Sequence, residues 1–309
     1  MAEPVAPRAA APPPQPPPLA DCFFYHSVEL PGSGRQTGQW DLEPHLKEYW
    51  AGVRFGAQQV LEIGPASGYL TSELERRGAR VTALELAAGE MWDVVPFAGW
   101  AESAQAEFVA ARGRLQRRLL ASFWRTHAEL ELSARLFLGS VYRLSDALGE
   151  FDIATVCAVL LHLRDPLSAL EQVASRTRER VVVTEAIPGE ILPERCVEAL
   201  IAANRSGDGA ELRNEVARLD PGDLRDPGAL LLRPDAKTLS PKETWWSLTP
   251  RLVAAWLGVL GFEVEAQRLF VLEHDSTYAF HKPPGHQDRR TFHPYFSLSA
   301  RRMPSVAEG

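Results

Sequence analysis

Only three cysteines occur among 309 residues, and Cys22, Cys157 and Cys196 lie far apart. An odd, scattered set gives neither a disulfide framework nor zinc-ligand spacing, so no metal is expected. Long apolar runs are missing too: no stretch approaches the roughly 20 residues of a membrane-spanning helix. Basic charge is not in excess. With 33 Lys and Arg against 40 Asp and Glu, the net charge is −7, and no global field draws the chain to nucleic acid or anionic lipid. No continuous apolar segment follows a basic start, so the N-terminus does not read as a secretory signal. These absences describe a cytoplasmic protein with reduced thiols and no membrane partner; its oligomeric state is not legible.

What is present suits a large core, with 45% hydrophobic and 24% charged residues. Residues 1–20 form a Pro/Ala-rich tail. Its first 18 residues hold eight prolines and five alanines, with little to bury and few amide donors, so disorder or polyproline is expected. Residues 21–57 are a pre-core cap rich in aromatics, in which Leu42, Leu46, Tyr49 and Val53 recur at helical spacing.

From residue 58 the pattern becomes strand, glycine turn, helix, strand. QQVLEIG, ARVTALEL, EFDIATVCAVLL and ERVVVTEAI read as buried strands, and TSELERRG and DPLSALEQVASRT as helices. This alternation implies an α/β fold with a Rossmann-like, doubly wound, mostly parallel sheet. FEVEAQRLF and STYAFHK read as a closing strand pair with an antiparallel edge, ending the domain at residue 283. Residues 284–309 are left as a C-terminal extension. Two stretches, about 87–134 and 188–244, exceed ordinary connection lengths and read as insertions that cap a crevice, the first with one or two helices.

The most informative segment is VLEIGPASGYL followed by ARVTALEL. A dinucleotide fingerprint beginning at Gly64 needs glycine at 66 and 69, where Ala66 and Tyr69 stand. A phosphate-binding loop fails because no lysine follows. The segment instead resembles motif I of the class I S-adenosylmethionine (SAM) methyltransferases, through Glu62, Gly64 and Gly68 with Ala66 as a small substitute. The resemblance implies SAM as cofactor, held also by Glu85, Ser140, Val141 and Cys157. Glu85, about 20 residues on at the end of the next strand, suits ribose hydroxyls. Ser140 replaces the acid usual near adenine. YHSVELPGSGRQTGQWDLEPHL, LLHLRDPLSAL and TWWSLTPRLVAAWLGVLGF further resemble the branch that modifies wobble uridine in tRNA by methyl or carboxymethyl transfer, a branch that also holds methyltransferases of unassigned substrate.

Methyl transfer needs alignment and exclusion of water, and a base only where the acceptor must lose a proton. His162 and Glu185 are the candidates, with a packed histidine and a helix-capping carboxylate as the plainer alternatives. Trp40, Trp92, Trp124, His127, Trp245 and Trp246 are candidates for an aromatic acceptor pocket, with core packing as the alternative; Tyr25 and His26 are open in the same way. RGRLQRRLLASFWR is a basic helix, a solvated face or a nucleic-acid contact. The expectation is methyl transfer to an oxygen or nitrogen of a small molecule. A tRNA acceptor, or a binding protein that keeps the fold without turnover, is the alternative.

Overall fold

Three consecutive valines show how the chain builds its sheet: Val181 and Val183 face one apolar cluster and Val182 the other. Side chains alternate across a strand, so a run apolar on every residue requires cover on both faces. The computed structural model describes residues 6–87, 93–280 and 287–304.

In chain order the strands and helices are β1 (Arg8–Ala10), β2 (Val28–Leu30), β3 (Gly34–Gln36), α1 (Leu46–Tyr49), β4 (Gln59–Ile63), α2 (Tyr69–Arg76) and β5 (Arg80–Glu85). Then follow α3 (Glu102–Glu129), β6 (Arg135–Leu138), β7 (Phe151–Cys157), α4 (Pro166–Ser175), β8 (Thr177–Ala186), α5 (Glu194–Ser206) and α6 (Ala210–Ala217). The last are β9 (Leu230–Leu232), β10 (Trp246–Leu248), α7 (Pro250–Val259), β11 (Phe262–Asp275) and β12 (Arg290–Arg302).

The main sheet runs β1-β6-β5-β4-β7-β8-β12-β11. Strands β4 to β8 are mutually parallel, and β12 lies antiparallel between β8 and β11. The expected α/β architecture is therefore present: β1 is an antiparallel edge strand, and on the other side β12 is antiparallel one place in from the edge. Leu170 and Val173 of α4 and Val253 and Leu257 of α7 cover one face. Leu46, Tyr49, Leu70 and Leu74, from the cap and α2, cover the other. The cap is also bonded to the sheet: the Thr184 and Ser297 hydroxyls donate to the carbonyls of Tyr49 and Glu48, each at 2.5 Å.

Two expectations need correction. The closing strand is not STYAFHK, which begins with a short 3-10 turn at Ser276–Tyr278. It is Arg290–Arg302, so residues assigned to an extension beyond 283 complete the sheet. Pro294 and the mixed polar content hide that strand; pairing to β8 begins just past the proline, at Tyr295. The tail is not wholly irregular, because residues 8–11 are its proline-free run, and Arg8–Ala10 pairs antiparallel with β6. Within the one or two helices expected, the described part of the first insertion carries one of 28 residues, α3, about 42 Å long.

Candidate functional site

Register decides what the sheet's carboxyl edge carries. Glu85 ends β5 opposite Leu138, and Cys157 ends β7 opposite Thr184, with Glu185 one residue further along β8. Between β4 and α2 the chain reverses through a tight turn with positive φ at Gly64 (74°), Ala66 (49°) and Gly68 (84°). Glycine tolerates that region freely and alanine at a cost, so Ala66 holds a strained position. Gly64 has a second reason to be glycine: a Cβ there would lie 2.9 Å from Val159 Cγ2.

Glu62 is buried just before this turn. Its Oε2 accepts the Thr71 hydroxyl at 2.6 Å, while Oε1 has no hydrogen-bond partner among the described residues. Burial pushes its carboxyl up to about 8. Glu85 reaches back to the same turn: Oε2 accepts the Ala66 N–H at 3.3 Å and Oε1 that of Leu86 at 2.8 Å. Burial raises its pKa, while these amides and the Gln116 side chain oppose the rise. After β6, the Gly139 N–H donates to the Glu85 carbonyl at 2.9 Å. Ser140 accepts the Tyr142 N–H at 3.2 Å, and Val141 is buried in the core. The Cys157 thiol is raised by burial; the charges of Glu62 and Glu185 act on it in the same direction. Glu62, the turn, Glu85 and Cys157 thus gather at one edge.

Glu185 caps the start of a bend through one carboxyl oxygen. Its Oε1 accepts the N–H groups of Val159 (3.1 Å) and Leu160 (2.7 Å), and burial raises the carboxyl to about 8. It therefore fixes the bend after β7 whose Val159 packs on Gly64. His162 lies in the same bend and donates from Nδ1 to the Glu243 carbonyl at 2.6 Å; burial lowers its pKa below the usual 6.5.

The two insertions meet over this bend. Arg112 of α3 pairs with Glu243, and the Val95 N–H donates to the Lys242 carbonyl at 2.9 Å. The Trp245 N–H donates to the Leu161 carbonyl at 2.9 Å and its indole to the Asp93 carbonyl; the Trp246 indole donates to the Arg164 carbonyl at 3.2 Å. Trp245 and Trp246 therefore stand beside His162. Trp40 stands elsewhere on the mouth, 4.7 Å from the His274 ring, 5.6 Å from His293 and 6.0 Å from Tyr295. Tyr25 is bonded to Trp40, and burial raises its pKa. His26 is buried, its Nδ1 without a hydrogen-bond partner among the described residues and its ring driven down to about 3 by burial; its backbone N–H donates to Ser67 Oγ at 3.3 Å.

Trp124 and His127 do not join this mouth. The described part of the first insertion ends at the start of β6, so the His127 ring bonds the Ala134 carbonyl at 3.0 Å and Trp124 packs against the cluster of Ala83, Leu120, Phe123 and Leu136. Trp92 lies outside the described residues. Other residues here were not anticipated: Gln116, Phe123 and Thr126 of α3, and the pair His274 and His293. A Cβ on Gly68 would lie 3.2 Å from Phe123, and Thr126 donates to the Ser67 carbonyl at 2.9 Å. One signal for Gln116 was available, a lone amide on the apolar stripe Leu115, Leu119, Leu120 and Phe123.

A methyltransferase-domain family profile matches residues 35–192. The chain belongs to that family. The enzyme class expected from the glycine turn, a SAM-dependent methyltransferase, agrees with that membership. No curated protein matches the chain by sequence. Similar solved structures include a SAM-dependent methyltransferase from Methanosarcina mazei, at 15% identity over 86% of this chain and 100% of that one, TM-score 0.43. The 1,6-didemethyltoxoflavin N1-methyltransferase of Burkholderia thailandensis is 16% identical over 81% of this chain and 72% of that one, TM-score 0.39. The N-terminal domain of EvdMO1, solved in the presence of S-adenosylhomocysteine and D-fucose, is 17% identical over 89% and 90%, TM-score 0.44. Membership rests on the profile match, not on these distant likenesses. Among the described residues no helix is long and apolar enough to cross a membrane, and no cluster of three or more potential ligands suits a metal.

Proposed function

We propose that this protein binds SAM at the 64–68 turn and transfers its methyl group to an oxygen or nitrogen of a small-molecule acceptor. The observation that carries the cofactor half is the buried, unpartnered Glu62 Oε1 beside a turn of left-handed residues. A buried polar atom without a partner is costly, and a cationic ligand relieves it. Glu62 and the turn suit the methionine end, Glu85 the ribose, Ser140 and Val141 the adenine side, and Cys157 with Ala158 the sulfur end. When bound, SAM supplies an electrophilic methyl group on a sulfonium.

The chain's own residues then align the acceptor and exclude water. Trp245, Trp246 and Trp40 supply flat apolar walls at the mouth. His162, with its Nδ1 proton committed to the Glu243 carbonyl, takes an acceptor proton at Nε2. Glu185 acts by holding the bend that carries His162. A neutral acceptor suits the net charge of −7 and the aromatic walls.

A tRNA acceptor is the second reading, supported by a groove of about 550 Å³ that Arg114, Arg117, Arg118 and Phe280 line. Calorimetric titration with SAM, with NADH as control, tests the first step. Saturable SAM binding and silent NADH are expected; folded, cofactor-free protein that ignores SAM overturns the reading. Titration with total tRNA at rising salt separates the two acceptors, because phosphate contacts give affinity that falls steeply with salt.

A further inference from the structure

We infer that Gln116, on helix α3 of the first insertion, is a positioning residue that holds the Glu85 carboxyl aimed at the cofactor ribose. The inference rests on the SAM reading above and adds to it a residue from outside the glycine-turn pattern.

Gln116 is 2% exposed, on a helix stripe otherwise made of Leu115, Leu119, Leu120 and Phe123. An apolar residue satisfies packing at such a position, whereas a buried primary amide is costly unless it is bonded. Its Nε2 donates to the Leu86 carbonyl at 3.1 Å, and its side chain also bonds the Glu85 carboxyl. Both neighbours accept, so the NH2 group and not the amide oxygen faces them, and its two hydrogens match the two acceptors.

Glu85 thus sits in a frame of three donors from three places: Ala66 N–H of the glycine turn, Leu86 N–H of its own strand end, and Gln116. Burial alone drives this carboxyl towards its neutral form, and each donor pulls it back. A ribose diol presents two hydroxyl donors and needs an ionised carboxylate with free lone pairs. A carboxylate has about four such sites, so the three donors leave one for a ribose hydroxyl, and the second hydroxyl displaces or shares the long Ala66 contact. The titratable neighbour that feels the Glu85 charge is Glu62 on β4; Ala66, Leu86 and Gln116 are neutral. Two turns along α3, Phe123 and Thr126 press on Gly68 and bond Ser67. One helix therefore holds the ribose acid with one residue and the glycine turn with two others.

The test is a double-mutant cycle read by SAM calorimetry, with Gln116→Leu and Glu85→Gln alone and together. Gln116→Leu is expected to weaken SAM binding about tenfold, the size of one charge-assisted hydrogen bond, without a change in melting temperature. The loss should deepen as pH falls, because Glu85 without its amide donor protonates at higher pH. In the Glu85→Gln background the same substitution should do nothing. Gln116→Asn, which stays polar but falls one methylene short, should weaken binding in the same direction and covers the case in which the leucine variant misfolds. Wild-type affinity in both Gln116 variants overturns the inference, as does an equal loss in both backgrounds. Those results leave the cofactor reading standing; only wild-type protein that ignores SAM removes that reading as well.

Discussion

Glu62 and Glu185 carry carboxyls that burial raises to about 8 from an ordinary value near 4.5, and both act on Cys157 between them. In the free protein each binds a proton more readily when folded than when unfolded. Their contribution to stability is therefore present below about pH 4.5 and lost as pH rises through 8. A cationic ligand reverses the preference, because a positive charge nearby favours the ionised carboxyl. Binding SAM at pH 7 should then release protons, and its affinity should rise from pH 6 to pH 8 and level off above. Calorimetry in two buffers of different ionisation enthalpy reads the released protons directly. Glu62→Gln should flatten the slope, whereas a flat profile in the wild-type protein would mean that no cation settles beside these groups. Glu185 offers the weaker handle, since its Oε1 is already occupied by two amides.

At the scale of elements, the parallel strands were legible because each is a short apolar run bounded by a turn, and VVVT in β8 admits little else. The glycine turn and Glu85 were legible for a related reason: they adjoin strands whose ends fix their position. The bonds made by α3 were not. Gln116 meets Glu85 only through the path of a helix that begins after a long insertion, which no local pattern encodes. Strand β12 failed differently, since Pro294, Arg290, Arg301 and Arg302 look unlike a sheet interior, yet Phe296, Leu298 and Ala300 are fully buried there. That placement carries a prediction. A chain ending at residue 283, the boundary that the sequence suggested, loses the strand between β8 and β11 and leaves both ladders unpaired. It should be insoluble or lack a cooperative melt, while a chain ending at residue 304 should melt like the full protein. A folded 1–283 fragment would show that the hairpin is dispensable.

For the molecule as a whole, the open edges of the sheet matter most, because an unpaired edge invites a second copy. The β11 edge is guarded by charge, with Glu263, Glu265, Arg268 and Glu273 along it. The β6 edge has the apolar sequence Leu136, Phe137 and Leu138, and β1 covers it. Proline on both sides of residues 8–11 confines this added strand to three pairs, and Pro7 is seated on Gly139 with no room for a side chain. A Cβ on Gly139 would lie 2.6 Å from Pro7 Cα. Removing residues 1–12 should therefore leave the core folded but uncover β6. Sedimentation velocity should show association that grows with protein concentration, at nearly unchanged melting temperature. Gly139→Ala in the full-length chain should push the same strand off its seat and reproduce that association. If neither variant associates where the wild-type chain does not, β1 is not what shields this edge.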